Sequence, residues 1–290
     1  MKPPRFEYHA PRAVDEALAL LAREGDRAKV LAGGQSLIPL LNFRLAQPEA
    51  LVDINRIGDL AYVRATGDGL AIGALTRQHA VERSETVRAR APILAEACHF
   101  MGHLPIRHRG TIGGSLAHAD PASELPAVMV ALEAQLTLAR DQARRTVSAD
   151  KFFVGPLTTA LEPGELLVEV RVPDQPRRTG GAFVEMARRA GDFALVGVAA
   201  LITLDASGRC ERARIALCGV GPTPIRARGA ETALLGGTPA GAALDEAASR
   251  AAAATSPPSD LHGSADFRRK LARHFTREAI AMAAERATRS

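Results

Sequence analysis

Lys29-Val30-Leu31-Ala32-Gly33-Gly34-Gln35-Ser36-Leu37-Ile38-Pro39-Leu40-Leu41-Asn42-Phe43-Arg44-Leu45 is the stretch on which the reading of this chain turns. Val30 and Leu31 read as the end of a short buried strand, and Gly33-Gly34 break it. Ser36 is placed to N-cap a helix running from Leu37 to about Leu45. Pro39 falls in its first turn, where a missing N–H costs nothing. A strand, a diglycine and a helix N-terminus together make an anion pocket. The glycines allow close approach, free N–H groups point at the ligand, and the helix dipole favours negative charge. An isolated diglycine is more often a simple tight turn.

Some eighty residues on, Arg109-Gly110-Thr111-Ile112-Gly113-Gly114-Ser115-Leu116 repeats the order of apolar residue, diglycine, polar residue and leucine. Ala117-His118-Ala119-Asp120-Pro121-Ala122-Ser123-Glu124-Leu125-Pro126 follows directly. Two such loops suit a ligand with two phosphates and a long polar middle. They are neither the G-x-G-x-x-G dinucleotide fingerprint nor a P-loop lysine motif.

Outward from these loops, Val14, Ala17, Leu18 and Leu21 lie at i, i+3, i+4 and i+7, the spacing of an amphipathic helix that Gly25 ends. Leu51-Val52-Asp53-Ile54 is a second strand, so the chain starts as β-α-β with its ligand loop at a strand's carboxyl end. Tyr62–Arg64 and Leu70–Ile72 form a hairpin, and Thr76–Arg83 and Ala91–Met101 form helices. Leu125–Leu132 is a further helix, followed by a hairpin of Ala134–Ala139 with Arg144–Val147. The strand Glu165–Pro173 is stopped by its proline. The Pro-, Arg- and Gly-rich segment from Pro173 to Gly181 marks a domain boundary, giving domains 1–176 and 177–290. Beyond it, Ala182–Arg188, Leu195–Leu204 and Ala213–Val220 predict a three-stranded antiparallel meander. Helices at 240–254 and around Phe267, Leu271, Phe275, Ala279 and Met282 close the chain, those five residues forming a core stripe.

Composition excludes several functions. The 290 residues, 47% hydrophobic and 24% charged, describe an ordinary globular chain able to bury a core. Trp is absent and aromatics make up only 4%, too few stacking platforms for a reader of single-stranded nucleic acid. The net charge of +5 comes from scattered arginines rather than a block. No apolar run reaches membrane-spanning length, and Met1-Lys2-Pro3-Pro4-Arg5 leads into no signal-peptide core, so a cytoplasmic location is expected. Cys98, Cys210 and Cys218 are three scattered thiols, too few for an iron–sulfur cluster or a disulfide framework. His99 and His103, at i and i+4, could pair on one helix face. They lack the intervening acid of H-E-x-x-H and any third ligand at a fixed spacing, so no metal site is expected.

Leu-Ala-Gly-Gly-Gln-Ser-Leu-Ile-Pro (31–39), Gly-Thr-Ile-Gly-Gly-Ser (110–115) and Arg-Arg-Ala-Gly-Asp-Phe-Ala (188–194) resemble the FAD-binding medium subunit of molybdenum hydroxylases, the group of carbon monoxide, nicotine and xanthine dehydrogenases. The resemblance runs from Phe6 to about Ala283. It implies an α+β fold. The first domain would be an FAD-binding domain of the p-cresol methylhydroxylase/vanillyl-alcohol oxidase type, a small parallel β-α-β part plus a mixed or antiparallel sheet. The second would be of the carbon monoxide dehydrogenase flavoprotein type, a three-stranded antiparallel sheet with helices.

The resemblance also implies non-covalent FAD and no catalytic residue acting on the organic substrate. Two [2Fe–2S] clusters on a small iron–sulfur subunit and a molybdenum cofactor on a large subunit would complete a dimer of heterotrimers. Residue by residue, Ala32, Gly33, Gly34, Gln35, Ser36 and Leu37 match the first FAD loop, with Lys29, Val30 and Leu31 leading in. Thr111, Ile112, Gly113, Gly114 and Ser115 match the second. His118, Asp120 and Glu124 fall where the family places polar groups near the ribityl chain and pyrophosphate. Leu167 matches an apolar flavin contact and Phe193 an aromatic one; both residue types serve equally well as plain core. Glu185 departs from the lysine of carbon monoxide dehydrogenase-like members, and Ser115 from the asparagine of many relatives. A self-contained FAD oxidase of the vanillyl-alcohol oxidase type and a non-enzymatic nucleotide-binding module are the competing readings. Nothing in the sequence marks the aromatic-lined cavity and general base that the oxidase needs.

Overall fold

The computed structural model describes residues 2–289. The chain begins β1 (Glu7–His9), α1 (Val14–Glu24), β2 (Ala28–Leu31), α2 (Leu37–Asn42) and β3 (Ala50–Asp53). These strands form a parallel sheet with β3 in the centre. α1 buries Ala17, Leu18 and Leu21, and Gly25 follows it at φ 55, a conformation that only glycine adopts without strain. The expected β-α-β start is therefore present. α2 is shorter than its pattern suggested: Arg44 turns to φ 57 and its N–H returns to the Leu41 carbonyl, ending the helix at Asn42.

β4 (Val63–Ala65) and β5 (Gly69–Gly73) lead into four helices: α3 (Gln78–Arg83), α4 (Glu85–Arg90), α5 (Pro92–Phe100) and α6 (Leu104–Arg109). Sequence periodicity missed α4 and α6, each only six residues long. The break at Met101-Gly102 also separates His99, on α5, from His103, the N-cap of α6. The two imidazoles therefore do not share a helix face, and His99 instead sits 3.1 Å from Glu82.

α7 (Ile112–His118) and α8 (Glu124–Ala131) precede β6 (Gln135–Arg140), β7 (Ala143–Ser148), α9 (Ala149–Phe152), β8 (Phe153–Gly155), β9 (Thr158–Thr159) and β10 (Leu166–Pro173). Five strands pair antiparallel in the order β4-β5-β10-β6-β7. α8 is buried along its whole length. With α5 and the inner face of this sheet it forms the largest core cluster, which also takes in Phe183, Ala199, Leu201 and Cys218 from farther along the chain.

β11 (Thr179–Met186), β12 (Val196–Leu204), β13 (Cys210–Cys218) and β14 (Ile225–Arg226) form an antiparallel sheet of four strands, not three. The addition is β14, a two-residue edge too short to leave a pattern in sequence. α10 (Arg228–Leu234), α11 (Ala242–Ala253) and α12 (Ala265–Thr288) cover its outer face. The buried face of α12 meets the expected stripe at Ala279 and is otherwise rotated from it. Ala272, Ala279, Ile280, Ala283 and Ala287 pack inward, whereas Phe267 is 42% exposed and Leu271, Phe275 and Met282 only flank the core. Close approach is the reason. A Cβ on Gly180 of β11 would collide with the Ala283 carbonyl, so at that crossing only small side chains fit between helix and sheet. No helix among the described residues is long and apolar enough to cross a membrane.

Candidate functional site

The two diglycine segments meet. Gly33 lies against the backbone of the second segment, where an added Cβ would strike the Arg109 carbonyl oxygen and come within 2.8 Å of Gly110 Cα. Ala32 and Gly114 face each other across the same seam, the Ala32 Cβ lying 3.7 Å from where a Gly114 Cβ would stand. Gly34 holds φ 74 and turns the chain from β2 toward α2.

A hydrogen-bonded relay fixes both segments at once. Tyr8 donates its hydroxyl to Asp53 (2.5 Å), and Asp53 in turn accepts from the Asn55 side chain and N–H. Asn55 Nδ2 donates to the Ala32 carbonyl (2.7 Å). Arg77 then donates one guanidinium nitrogen to Asn55 Oδ1 (2.7 Å) and another to the Arg109 carbonyl (2.5 Å). Burial pushes the Asp53 carboxyl upward, but hydrogen bonds from Tyr8 and Asn55 and the Arg56 charge outweigh it and hold it below its usual range. Burial and the Arg109 charge lower the Arg77 guanidinium. Sequence reasoning does not single out Asp53, Asn55 or Arg77. An Asp-x-Asn turn directly after a strand is the only available signal. Arg77→Met leaves the Arg109 carbonyl and Asn55 Oδ1 without their donor at about 1–3 kcal/mol each. The expected result is a folded chain with at least tenfold weaker flavin retention, read by equilibrium dialysis against FAD.

The segments differ in what they offer a ligand. The N–H groups of Gly33, Gly34, Gln35 and Ser36 reach no acceptor among the described residues. Ser36 stands at the N-cap position of α2, but its helical backbone keeps the hydroxyl from capping, contrary to the expected role. Four donors and a hydroxyl are thus left to face a ligand. The second segment is not a loop but the first turn of α7. Thr111 N-caps it, its hydroxyl accepting from Gly114 N–H at 3.0 Å. The Ile112 and Gly113 N–H groups donate to the Thr76 and Ala74 carbonyls, at 3.0 and 2.8 Å. Gly113 is a packing glycine, since a Cβ would come within 2.5 Å of Ala74 Cβ. The hydroxyl pair Ser115–Ser123, 3.2 Å apart, is what this side presents.

Past α7, His118 is half-buried at the helix end, where Ala119 takes φ 53, and Asp120 accepts from the Ala122 N–H at 2.9 Å. Glu124 opens α8 and is buried. Burial lifts its carboxyl to about 7, opposed by its own backbone N–H and aided by the Asp120 charge. Glu185 on β11 has an Oε2 that is buried with no partner among the described residues. Burial, then the nearby Glu124 charge, lift it to about 8. The Pro121 carbonyl accepts from Gly219 N–H (2.8 Å), tying this segment to the end of β13.

Ala32 and Gly33 therefore meet the Arg109–Gly114 backbone along one seam, and Ser115 joins it to the Asp120–Glu124 segment through Ser123, whereas Thr111, Ile112 and Glu124 are themselves buried. Leu167 is a core residue of β10, the strand on which α7 packs. Lys29 projects exposed from β2, Val30 and Leu31 are half-buried, and Phe193 is 62% exposed in the segment before β12. Cys98, Cys210 and Cys218 are free and buried. Among the described residues Glu7, His9 and Glu24 lie close enough together to share an ion, but Glu24 is already engaged by Arg23 and Arg27.

Comparison with known proteins gives the family. Residues 4–175 match the family model "FAD binding domain in molybdopterin dehydrogenase", and residues 181–283 match "CO dehydrogenase flavoprotein C-terminal domain". The chain is an FAD subunit of the CO dehydrogenase-type molybdenum hydroxylases. It is 46% identical to the 6-hydroxypseudooxynicotine dehydrogenase complex subunit alpha of Paenarthrobacter nicotinovorans, over 99% of this chain and 97% of that one. It is 43% identical to the carbon monoxide dehydrogenase medium chain of Hydrogenophaga pseudoflava, over 97% of each. A solved structure of carbon monoxide dehydrogenase from H. pseudoflava superposes with a TM-score of 0.96 at 45% identity, covering 99% of both chains. Quinoline 2-oxidoreductase from Pseudomonas putida 86 follows at 0.94 and 39%, again covering 99% of both chains. The FAD subunit's own residues fit its cofactor: four free N–H groups beside a positive-φ glycine suit a pyrophosphate, and no side chain occupies the crossing at Gly33.

Proposed function

We propose that this subunit receives electrons from [2Fe–2S] clusters on a small partner subunit and hands them to an external acceptor. A molybdenum cofactor on a large partner subunit would meanwhile hydroxylate a small molecule, with an N-heterocycle the favoured class. The FAD is held non-covalently and supplies the two-electron carrier chemistry. The complex is a dimer of heterotrimers. The observation that carries the reading is an FAD-type cradle in a chain with three buried, scattered cysteines. A thiolate-held cluster needs four ligands, so the electron donor has to sit on another chain.

Within the chain, divided as 1–176 and 177–290, each part has its own task. The N–H groups of Gly33 to Ser36 grip the pyrophosphate, with Ala32 and Leu37 flanking and Lys29, Val30 and Leu31 positioning the strand that leads in. Thr111, Ile112, Gly113, Gly114 and Ser115 wall the opposite side through hydroxyls and close backbone. His118, Asp120 and Glu124 serve the ribityl chain and the phosphates, with Glu124 able to donate a hydrogen bond in the fraction, about half, that burial keeps protonated near neutral pH. Leu167 and Phe193 belong to the isoalloxazine end, where Phe193's exposure suits a surface that a partner covers. Two relatives named for N-heterocycle substrates, quinoline 2-oxidoreductase and nicotine 6-hydroxylase, at 39% and 36% identity, favour the substrate class.

The purified chain is expected to be yellow and to release FAD, not FMN, into the supernatant on acid precipitation. Flavin retained in the precipitate would contradict non-covalent binding. Dithionite should bleach the isolated chain, while quinoline or nicotine should not. Adding the iron–sulfur and molybdenum subunits should restore substrate-dependent bleaching. Steady oxidation of an organic compound by the chain alone would replace this reading with that of a self-contained oxidase.

A further inference from the structure

Away from the glycine segments, a cavity of about 620 Å³ opens where the connector Asp174–Arg178 crosses between β10 and β11. Its floor is apolar, built from Ile93, Leu132 and Leu201, which otherwise belong to the main core. Its rim carries Arg90, Arg177, Arg178 and a single acid, Asp174. That acid is spent. Arg90 holds both of its oxygens, at 3.0 and 2.8 Å, and also donates to the Thr66 and Gly69 carbonyls. Arg177 and Arg178 then remain without a counter-charge among the described residues.

Arg178 is the more telling of the two. It sits at φ 59, a left-handed conformation that costs a non-glycine residue about 1 kcal/mol or more. Its Nε is buried with no acceptor among the described residues. Packing encloses that nitrogen, so the two terminal nitrogens of the guanidinium, which have no hydrogen-bond partner among the described residues, are what the side chain offers the cavity it lines. The start of α5 adds to this field. Ala91 has no side chain with which to cap the nine-residue helix, and the Ile93 N–H, on the cavity wall, meets no acceptor among the described residues. The positive end of the helix dipole is therefore left open beside two unpaired guanidiniums.

We propose that this cavity is a second binding site, separate from the FAD cradle, for a small organic carboxylate: an oxyanion on a compact apolar body. The volume falls in the range of small-molecule pockets and is far larger than a bare anion needs. The planar Arg178 fork matches a carboxylate, and the Ile93–Leu132–Leu201 floor takes the apolar body. The occupant would bridge α5, the connector and β11, and so brace the chain where its two large sheets join. The site stands independently of the electron-transfer reading.

Isothermal titration of the FAD-loaded chain tests it, with benzoate as probe, benzamide as its neutral isostere and inorganic phosphate as the bare anion. Benzoate is expected to bind at one site per chain, at least tenfold tighter than either benzamide or phosphate. Arg178→Gln should weaken benzoate at least tenfold and leave benzamide unchanged. Ala89→Phe, an exposed change at the cavity mouth, should weaken both organic probes with FAD content unaltered. No benzoate binding at millimolar concentration would overturn the proposal. So would equal binding of benzoate and benzamide, phosphate binding as tightly as benzoate, or benzoate binding that survives both variants.

Discussion

Gly33→Val is expected to give a folded chain that does not retain FAD. The side chain would enter the seam where the two glycine segments touch, against the Arg109 carbonyl and within 2.8 Å of Gly110 Cα. Backbone cannot step aside as a flexible side chain can, so the segments must part. The donors at Gly33 to Ser36 then lose their register against Thr111 and Ser115. Losing one oriented phosphate contact costs about 1.5–3 kcal/mol, a tenfold to hundredfold weakening, and here several are lost together. Gly34→Val should do the same by another route, because it forces a β-branched residue to φ 74 with Ile38 Cγ1 only 3.0 Å from its Cβ. Gly58→Ala is the matched control, since a Cβ there meets nothing within 4 Å. Flavin-to-protein absorbance ratios after gel filtration, with far-UV circular dichroism to verify folding, make the comparison. Full flavin occupancy in Gly33→Val would mean that Gly33-Gly34 is only a turn and that FAD is held elsewhere.

Why the first cradle is legible in sequence and the second is not follows from what each rests on. Around Gly33-Gly34 the signals are local: an apolar strand end, a break, then a helical run, and β2, the turn and α2 fall in that order. Ile112-Gly113-Gly114 carries two residues of poor helix propensity, so a loop is the natural reading. α7 exists because distant groups support it, namely the Ala74 and Thr76 carbonyls that take its first N–H groups and the Ala74 side chain that only Gly113 can accommodate. None of this is visible at the scale of a seven-residue window. The same holds for the relay through Asn55 and Arg77, whose members lie in ordinary sequence and acquire a role only when β3 and α3 are brought beside both segments. On α12 the apolar pattern names four bulky residues with Ala279; the structure buries Ala279 with Ile280 and further alanines, and at Ala283 the close approach of Gly180 leaves room only for a small side chain. Glu185 stands out in sequence as a departure from its relatives, but its nearness to Glu124 is a property of the packing of α8 against the C-terminal sheet.

That pairing sets the other large effect, a loss of stability as the solution becomes alkaline. Glu185 has a carboxyl lifted to about 8 and Glu124 one lifted to about 7, both chiefly by burial, where an unfolded chain ionises them near 4.5. Above about pH 4.5 the unfolded state has released these protons and the folded state still holds them. Stability must therefore fall as pH rises from about 4.5 to about 8, and level off beyond. The thiol of Cys218 lies in the same field, raised by its burial and by both carboxylates, so it stays protonated across this window and does not offset the trend. Glu185→Gln keeps the shape and removes the ionisation. At pH 5 the variant should differ little from the parent chain, since both folded chains carry a neutral side chain and the unfolded parent has only begun to gain from ionising. At pH 8.5 it should be the more stable by on the order of 2–4 kcal/mol, since each tenfold difference in proton affinity between the folded and unfolded chain counts for about 1.4 kcal/mol. Glu124→Gln should act in the same direction over a window ending nearer pH 7. Because the Glu124 charge helps to raise Glu185, the double variant should gain less than the sum of the two. Urea denaturation midpoints of the four chains at pH 5 and 8.5 decide the matter. An equal advantage for Glu185→Gln at both pH values would mean that the glutamate ionises freely in the folded chain and that the carboxyls do not oppose each other.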